Sequence, residues 1–559
     1  MKFINLKLLT CFLCLTAAST QASEVTQLNN PTNPGIERFI IDPNNQFVIF
    51  NEFNQDTTLD RFSISINGGS NPIEIATDLL NTEDPFWIDQ DNSHVLSRNS
   101  GANGPFGTLL SVSQDNISTI LSPIRSSLPF NEVRNVGTLP GTDLVAFTTF
   151  SGDLFSVPID GNSPAINLSN GLIVDNFRLS EDRQKIAFSA QDPSSLIHGL
   201  YISDLNGNSS PTLLAELTTD TDVDGSVRFS SDDSTIVFIA ETFLPNSIES
   251  LQLFIVATDG SSNAIPIGNS VTASSADIDF NISPDGQHVV FALEDFDLNF
   301  EQLFSSPIDG SSDPTLIDEG VELHQFTVTD NNKYIIYSIT KQFSDALLSS
   351  DRNIPILMRS SLTPENNENS ILLSRLSISD FLRQEPLPDA INIDVPFAVT
   401  SDSQFVYFIQ DFTGDFRTID QVPNLLRTSI EDPSEMLQIN DDSIGLSQLL
   451  LPFISLSVED FILSDDEQTI IYKADAILSL VSPQLVRLTT SNLNNELLPT
   501  LETGSVNDFD ISNNGEFVVY TTDSGVDDLQ NLYSINISEP EPLCFPIKTH
   551  NDNFVTICL

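Results

Sequence analysis

The chain has 559 residues, of which 40% are hydrophobic and 18% charged, a composition that folds and does not stay disordered. Its 22 basic against 78 acidic residues leave a net charge of −56. Phosphate backbones and anionic lipid surfaces are bound by clustered lysine and arginine, so this field excludes nucleic-acid binding and favours cations or basic partners.

The first 22 residues read as a secretory signal peptide. Lys2 and Lys7 supply its positive start, Leu8 to Ala18 is an apolar stretch too short to span a bilayer, and Thr20-Gln21-Ala22 fits a cut ahead of Ser23. Cys11 and Cys14 lie inside this leader without the small residues that lipoprotein processing requires. No later run approaches ~18 uninterrupted apolar residues, so no membrane insertion is expected. The mature chain is expected in a periplasm or outside the cell.

Residues 23–543 read as one repeat array. A nine-residue phrase, clearest in Ser283-Pro284-Asp285-Gly286-Gln287-His288-Val289-Val290-Phe291, joins a polar turn to a β-branched run and a final aromatic. Copies start at Asp42, Asp89, Leu139, Ser180, Ser230, Ser283, Thr329, Thr400, Ser464 and Ser512. All but the second copy end in an aromatic (Phe50, Phe147, Phe188, Phe238, Phe291, Tyr337, Phe408, Tyr472, Tyr520); the second has Ser97. A later phrase recurs in several units, as in Leu154-Phe155-Ser156-Val157-Pro158-Ile159-Asp160-Gly161 and Leu303-Phe304-Ser305-Ser306-Pro307-Ile308-Asp309-Gly310. Asp-Gly between alternating apolar runs signals a tight hairpin, because glycine accepts the positive φ the turn demands.

Each unit therefore supplies four short strands every ~40–50 residues, the period of a β-propeller. One such sheet cannot bury both faces alone, whereas stacked sheets can, and the recurrent aromatics belong to the layers between them. The fold class is thus all-β, a propeller of about ten four-stranded repeats closed as one large ring or two. The longer gaps read as insertions between blades, with a short helix within Leu376 to Asp394 and an apolar run within Asp442 to Val458.

With its later hairpin, the phrase Ile282-Ser283-Pro284-Asp285-Gly286 … Val289-Val290-Phe291 resembles the repeat of TolB-like (WD40-like) propellers, and is similar to repeats in the propeller domains of prolyl oligopeptidase relatives. The resemblance spans residues 36–543 and is strongest in the fifth and sixth copies. It implies a propeller without the α/β domain that precedes the TolB propeller and without a peptidase domain.

Residues 544–559 read as a terminal hairpin. Alternating apolar segments flank His550-Asn551-Asp552-Asn553 and set Cys544 across from Cys558, so a disulfide is expected in an oxidising compartment.

Catalytic motifs are missing from the sequence. There is no Gly-x-Ser-x-Gly elbow, no His-Glu-x-x-His and no phosphate loop, and His94, His198, His288, His324 and His550 are scattered. Two acidic patterns remain. Asp220-Thr221-Asp222-Val223-Asp224-Gly225 has the alternating oxygens of a calcium loop, but Arg228 and Ser231 stand at its ninth and twelfth positions. Eight of the ten copies also place an acid shortly before the phrase: Glu37, Asp84, Asp175, Asp224, Asp277 with Asp279, Asp394, Asp460 and Asp508. Such acids either cap a recurring turn or gather round a channel mouth that attracts a cation or a basic segment.

The expectation is an exported non-catalytic propeller that binds a protein or peptide through this acidic mouth, with calcium as the candidate ion. The alternatives are a propeller lyase or hydrolase using channel carboxylates or a metal, and a surface or matrix structural protein.

Overall fold

In the eight units whose phrase opening is described, that opening is a turn with fixed chemistry. In seven copies a hydroxyl opens it (Ser180, Ser230, Ser283, Thr329, Thr400, Ser464, Ser512), donating to an Asp or Asn two residues on at 2.6–2.8 Å. The same oxygen accepts the backbone N–H five residues on, at 2.9–3.0 Å. Asp42 opens the first copy, its Oδ1 accepting from Gln46 N at 2.6 Å and also from Phe47 N. The fourth residue of these turns is left-handed, with φ between 55° and 68° at Asn45, Arg183, Asp233, Gly286, Asn332, Ser403, Glu467 and Gly515.

The computed structural model describes residues 25–558 except 30–34, 54–58, 70, 80–85, 89–93, 100–107, 114–117, 121–132, 138–142, 219, 245–247, 274–275, 296–299, 345–350, 365–369, 375–396, 412–422, 441–455, 477–483, 500–504, 524–529, 539–543 and 549–553. The suggested helix within 376–394 and the apolar run starting at Leu446 lie outside the described residues. Around each turn, four antiparallel strands form a blade. Nine blades use consecutive strands, within 36–79 (blade 1), 86–120 (2), 133–167 (3), 173–216 (4), 221–273 (5), 276–320 (6), 322–372 (7), 398–438 (8) and 456–497 (9). Blade 10 joins the chain ends, with Val25–Gln27 added as fourth strand to Val506–Ile511, Phe517–Asp523 and Gln530–Asn536.

The blades close into one ring. Hydrophobic clusters span successive junctions, and Phe517, Val519 and Leu532 of blade 10 pack with Phe39, Val48 and Phe50 of blade 1. The left-handed turn residues staple the same junctions. Asp233 of blade 5 accepts from Glu181 N and Asp182 N of blade 4 at 2.9 and 2.7 Å. Asn332, Ser403 and Glu467 accept equivalently across later junctions, and Asn45 of blade 1 accepts from Asn513 N of blade 10 at 2.8 Å. A left-handed non-glycine residue costs about 1 kcal/mol, and each of these bonds offsets that cost.

The recurrent aromatics form the core. All nine are buried, and six stack face to face on an aromatic of the third strand with ring centroids 5.4–5.7 Å apart, as Phe291 does on Phe304. The hairpin glycines serve close packing as well as turn geometry. Gly207 has φ 71°, and a Cβ there would lie 2.6 Å from Ile166 Cγ2 of the preceding blade.

One expectation is corrected. The terminal hairpin forms, with Cys544–Lys548 paired to Phe554–Cys558 and Cys544 registered opposite Cys558, but no disulfide joins them. Facing register sets only the backbone separation; an S–S bond also requires a narrow Cβ–Cβ distance and torsion that antiparallel pairing does not by itself provide.

Candidate metal centre

First strands lie on the inner side of the ring, where those of blades 3 and 4, 4 and 5, 6 and 7, 9 and 10, and 10 and 1 run beside one another. Seven of the ten carry a β-bulge where the acids recur. Their register skips over Glu37, Arg134 with Asn135, Asp175, residues 224–226, His324, Glu459, and Asn507 with Asp508. A bulge releases one N–H from the ladder and re-aims a side chain. Hydroxyls directly after the repeat aromatic accept at three of them: Thr148 from Asn135 N, Ser189 from Asn176 N and Thr521 from Asp508 N, at 3.2–3.3 Å. Glu37, Asp175, Asp224 and Asp508 occupy these bulges, whereas Asp460 follows one and Asp277 and Asp279 lie in unbroken register.

At the junction of blades 4 and 5 this geometry gathers a mixed donor set. Asp175 sits on the bulge of Ile173–Leu179, Asp222 is second in Thr221–Phe229, and His198 begins the third strand of blade 4, His198–Asp204. One ligand atom from each lies within 4.8 Å of the others, and all three side chains are half-buried. His198 Nδ1 is 3.1 Å from Asp222 Oδ1, and Gln191 Nε2 is 2.8 Å from His198 Nε2. An amide nitrogen only donates, so Nε2 accepts and the imidazole proton sits on Nδ1, facing Asp222. Burial raises the Asp175 carboxyl above its ordinary range and the Asp222 charge raises it further, while His198 and Arg134 pull it down.

A second pair of acids lies at blades 9 and 10. Burial raises both Asp460 and Asp508, although each carboxylate accepts from the next backbone N–H, Phe461 N at 2.8 Å and Phe509 N at 3.0 Å. Lys473 lowers both and forms an ion pair with Glu459 at 2.9 Å.

The remaining residues of the expected mouth are dispersed. Glu37 accepts from Asn51 Nδ2 at 3.2 Å, and Asp279 is exposed, 3.7 Å from Arg228 Nη2. Asp224 and Asp277 lie on described strands, with side chains outside the description, and Asp84 and Asp394 lie outside the described residues. The Asp220–Asp224 pattern is not wrapped as a loop, because Thr221–Phe229 is a strand; only Asp222 of it joins the cluster. His198 is the member of this cluster that the sequence patterns did not single out.

No protein-family profile and no curated protein matches the chain. Among solved structures it is similar to an oligogalacturonate lyase from Vibrio parahaemolyticus, at 11% identity over 76% of this chain and 95% of that one, with a TM-score of 0.33. A putative TolB from Agrobacterium tumefaciens is similar at 17% identity over 42% and 82%, TM-score 0.26. The β-propeller domain of the Trilobed protease from Pyrococcus furiosus is similar at 10% identity over 66% and 97%, TM-score 0.28. At these identities the likeness is one of fold. No described helix is long and apolar enough to cross a membrane.

Proposed function

We propose that the chain is an exported propeller enzyme, of lyase or hydrolase type, working through one divalent metal ion held by Asp175, His198 and Asp222. The observation that carries this reading is the convergence of two carboxylates and one imidazole from two blades within 4.8 Å. Three protein ligands leave coordination positions open for water or substrate, the pattern of a catalytic rather than a structural site. A bound ion would act as a Lewis acid on a substrate oxygen or acidify a bound water.

The donor set points to manganese, iron(II) or zinc. Calcium takes about six to eight oxygen ligands, and imidazole suits softer ions. Bound through Nδ1, His198 would carry its proton on Nε2, where Gln191, with its amide oxygen turned to that proton, would hold the ring. An ion would also offset the repulsion between Asp222 and Asp175. A protein-binding acidic mouth has less support, because the described acids lie apart, Glu37 against Asn51 and Asp279 against Arg228, away from the two groups at blades 4 and 5 and blades 9 and 10. Export is inferred from residues 1–22.

Metal analysis of the purified protein, with thermal unfolding followed with and without EDTA, tests the proposal. One equivalent of a transition metal and a melting temperature lowered by EDTA are expected. A protein that carries no metal and takes up none of Mn²⁺, Fe²⁺ or Zn²⁺ overturns it.

A further inference from the structure

Beside the metal centre, a cavity of about 470 Å³ lies between blades 4 and 5, within the size range of small-molecule sites. Its apolar side is formed by the partly exposed Leu217 of blade 4 with Phe254 and Ala264 of blade 5, Phe254 being stacked on the buried Phe238. At its rim, Thr218, Thr221 and Thr242 form a chain of hydroxyls with oxygens 2.7 and 3.0 Å apart. Three hydroxyls joined by two hydrogen bonds keep one O–H and several lone pairs for a further partner.

The repeats show why the gap is here. Four residues after the hairpin glycine, blades 4 and 6 have Pro211 and Pro314, whereas blade 5 has Ala264, which lines the cavity. At the next junction Gly268 faces both Pro314 and the blade 6 aromatic: a Cβ placed on it would lie 3.4 Å from both Phe291 Cζ and Pro314 Cγ. Ala264 puts a smaller side chain at the cavity wall than the prolines of blades 4 and 6 put at this position.

We infer that this cavity is a binding site for a small organic amine with an apolar body. Phe254, Leu217 and Ala264 take the body, and the threonine hydroxyls serve its polar end. Glu216 is the one charged residue lining the cavity, it is exposed, and no lysine, arginine or histidine lines the cavity among the described residues. A carboxylate within a chain of net charge −56 selects a cation and repels an anion. This inference does not rest on the metal reading, because the cavity is built from other side chains.

Calorimetric titration of the full-length, EDTA-treated protein with phenethylamine, 2-phenylethanol and phenylacetate tests it. Saturable one-to-one binding of phenethylamine is expected, at least about tenfold tighter than phenylethanol (~1.4 kcal/mol), with phenylacetate weakest. Ala264→Pro should abolish binding by filling the gap as blades 4 and 6 do. Glu216→Gln, on an exposed side chain, should bring phenethylamine down to the affinity of phenylethanol, and it decides the matter if Ala264→Pro fails to fold. No saturable binding of phenethylamine, equal binding of phenylacetate, or unchanged binding by either folded variant would overturn the inference.

Discussion

Blades 4 and 5 and blades 9 and 10 present the same inner-edge arrangement with different cations supplied. In the first region Asp175 and Asp222 flank His198; in the second Asp460 and Asp508 share the field of Lys473, which is also paired with Glu459. Both begin from a bulged first strand, and in both burial raises acids at the bulge. A lysine ammonium brings the positive charge covalently and has no lone pair for a metal, so blades 9 and 10 are satisfied from within. An imidazole brings a donor atom instead, and leaves two carboxylates whose charge an external ion can meet. One repeat position thus serves stability in one place and a candidate chemistry in another, according to the side chain that faces the acids.

What the regions share should fail alike. Phe188→Ala and Tyr520→Ala each remove a buried ring stacked on the third strand, and each should destabilise by about 3–5 kcal/mol in chemical denaturation. A loss well below 1 kcal/mol in either would show that the interblade aromatic is not the common core.

What distinguishes them should appear in metal affinity. His198→Ala and Asp222→Asn should weaken Mn²⁺ or Zn²⁺ binding at least about 100-fold, ~2.7 kcal/mol, in calorimetry. Asp460→Asn and Asp508→Asn should leave it unchanged. Equal losses from both regions would dissolve the comparison.

Lys473→Met probes the internal cation. With three carboxylates left facing one another, the variant should lose about 2 kcal/mol at pH 8, where they are ionised, and much less at pH 4. A penalty independent of pH would mean that Lys473 contributes packing alone.

The smallest expected effect concerns Asp510 in the first strand of blade 10, which burial pushes up to about 6 from the ordinary aspartate value of 3.8. The folded protein then holds a proton that the unfolded chain releases. The resulting stabilisation is complete below pH 4 and is lost as pH rises through 6. Asp510→Asn should therefore stabilise by about 1–2 kcal/mol at pH 7.5 and be neutral at pH 3.5, as read from urea midpoints. A variant no more stable at pH 7.5 would argue against a strained carboxylate there.

Much of the fold was legible because the constraints are local and repeat. A hydroxyl, an Asp or Asn two residues later and a left-handed fourth residue define seven of the described turns, and the aromatic fixes the packing layer. Single-ring closure was not legible, since it depends on Val25–Gln27 pairing with Gln530–Asn536 and on Asn45 reaching Asn513, contacts between opposite chain ends. Asp175 and Asp222 stood out in the sequence for separate reasons, one as a repeat-position acid and one as part of a calcium-like spacing. His198 did not, because it opens a third strand, and only blade stacking brings the start of that strand against the next blade. Its signal was its place just ahead of Gly199-Leu200-Tyr201, where the hairpin phrase begins. The disulfide failed for the opposite reason, since spacing alone suggested a bond that depends on side-chain geometry.

Pulsed electron paramagnetic resonance of the protein loaded with one equivalent of Mn²⁺ examines the junction of blades 4 and 5 most directly. Modulation from a directly coordinated imidazole nitrogen is expected, present in wild type and in Asp508→Asn and gone in His198→Ala. A spectrum showing only oxygen and water ligands, unchanged by His198→Ala, would contradict it.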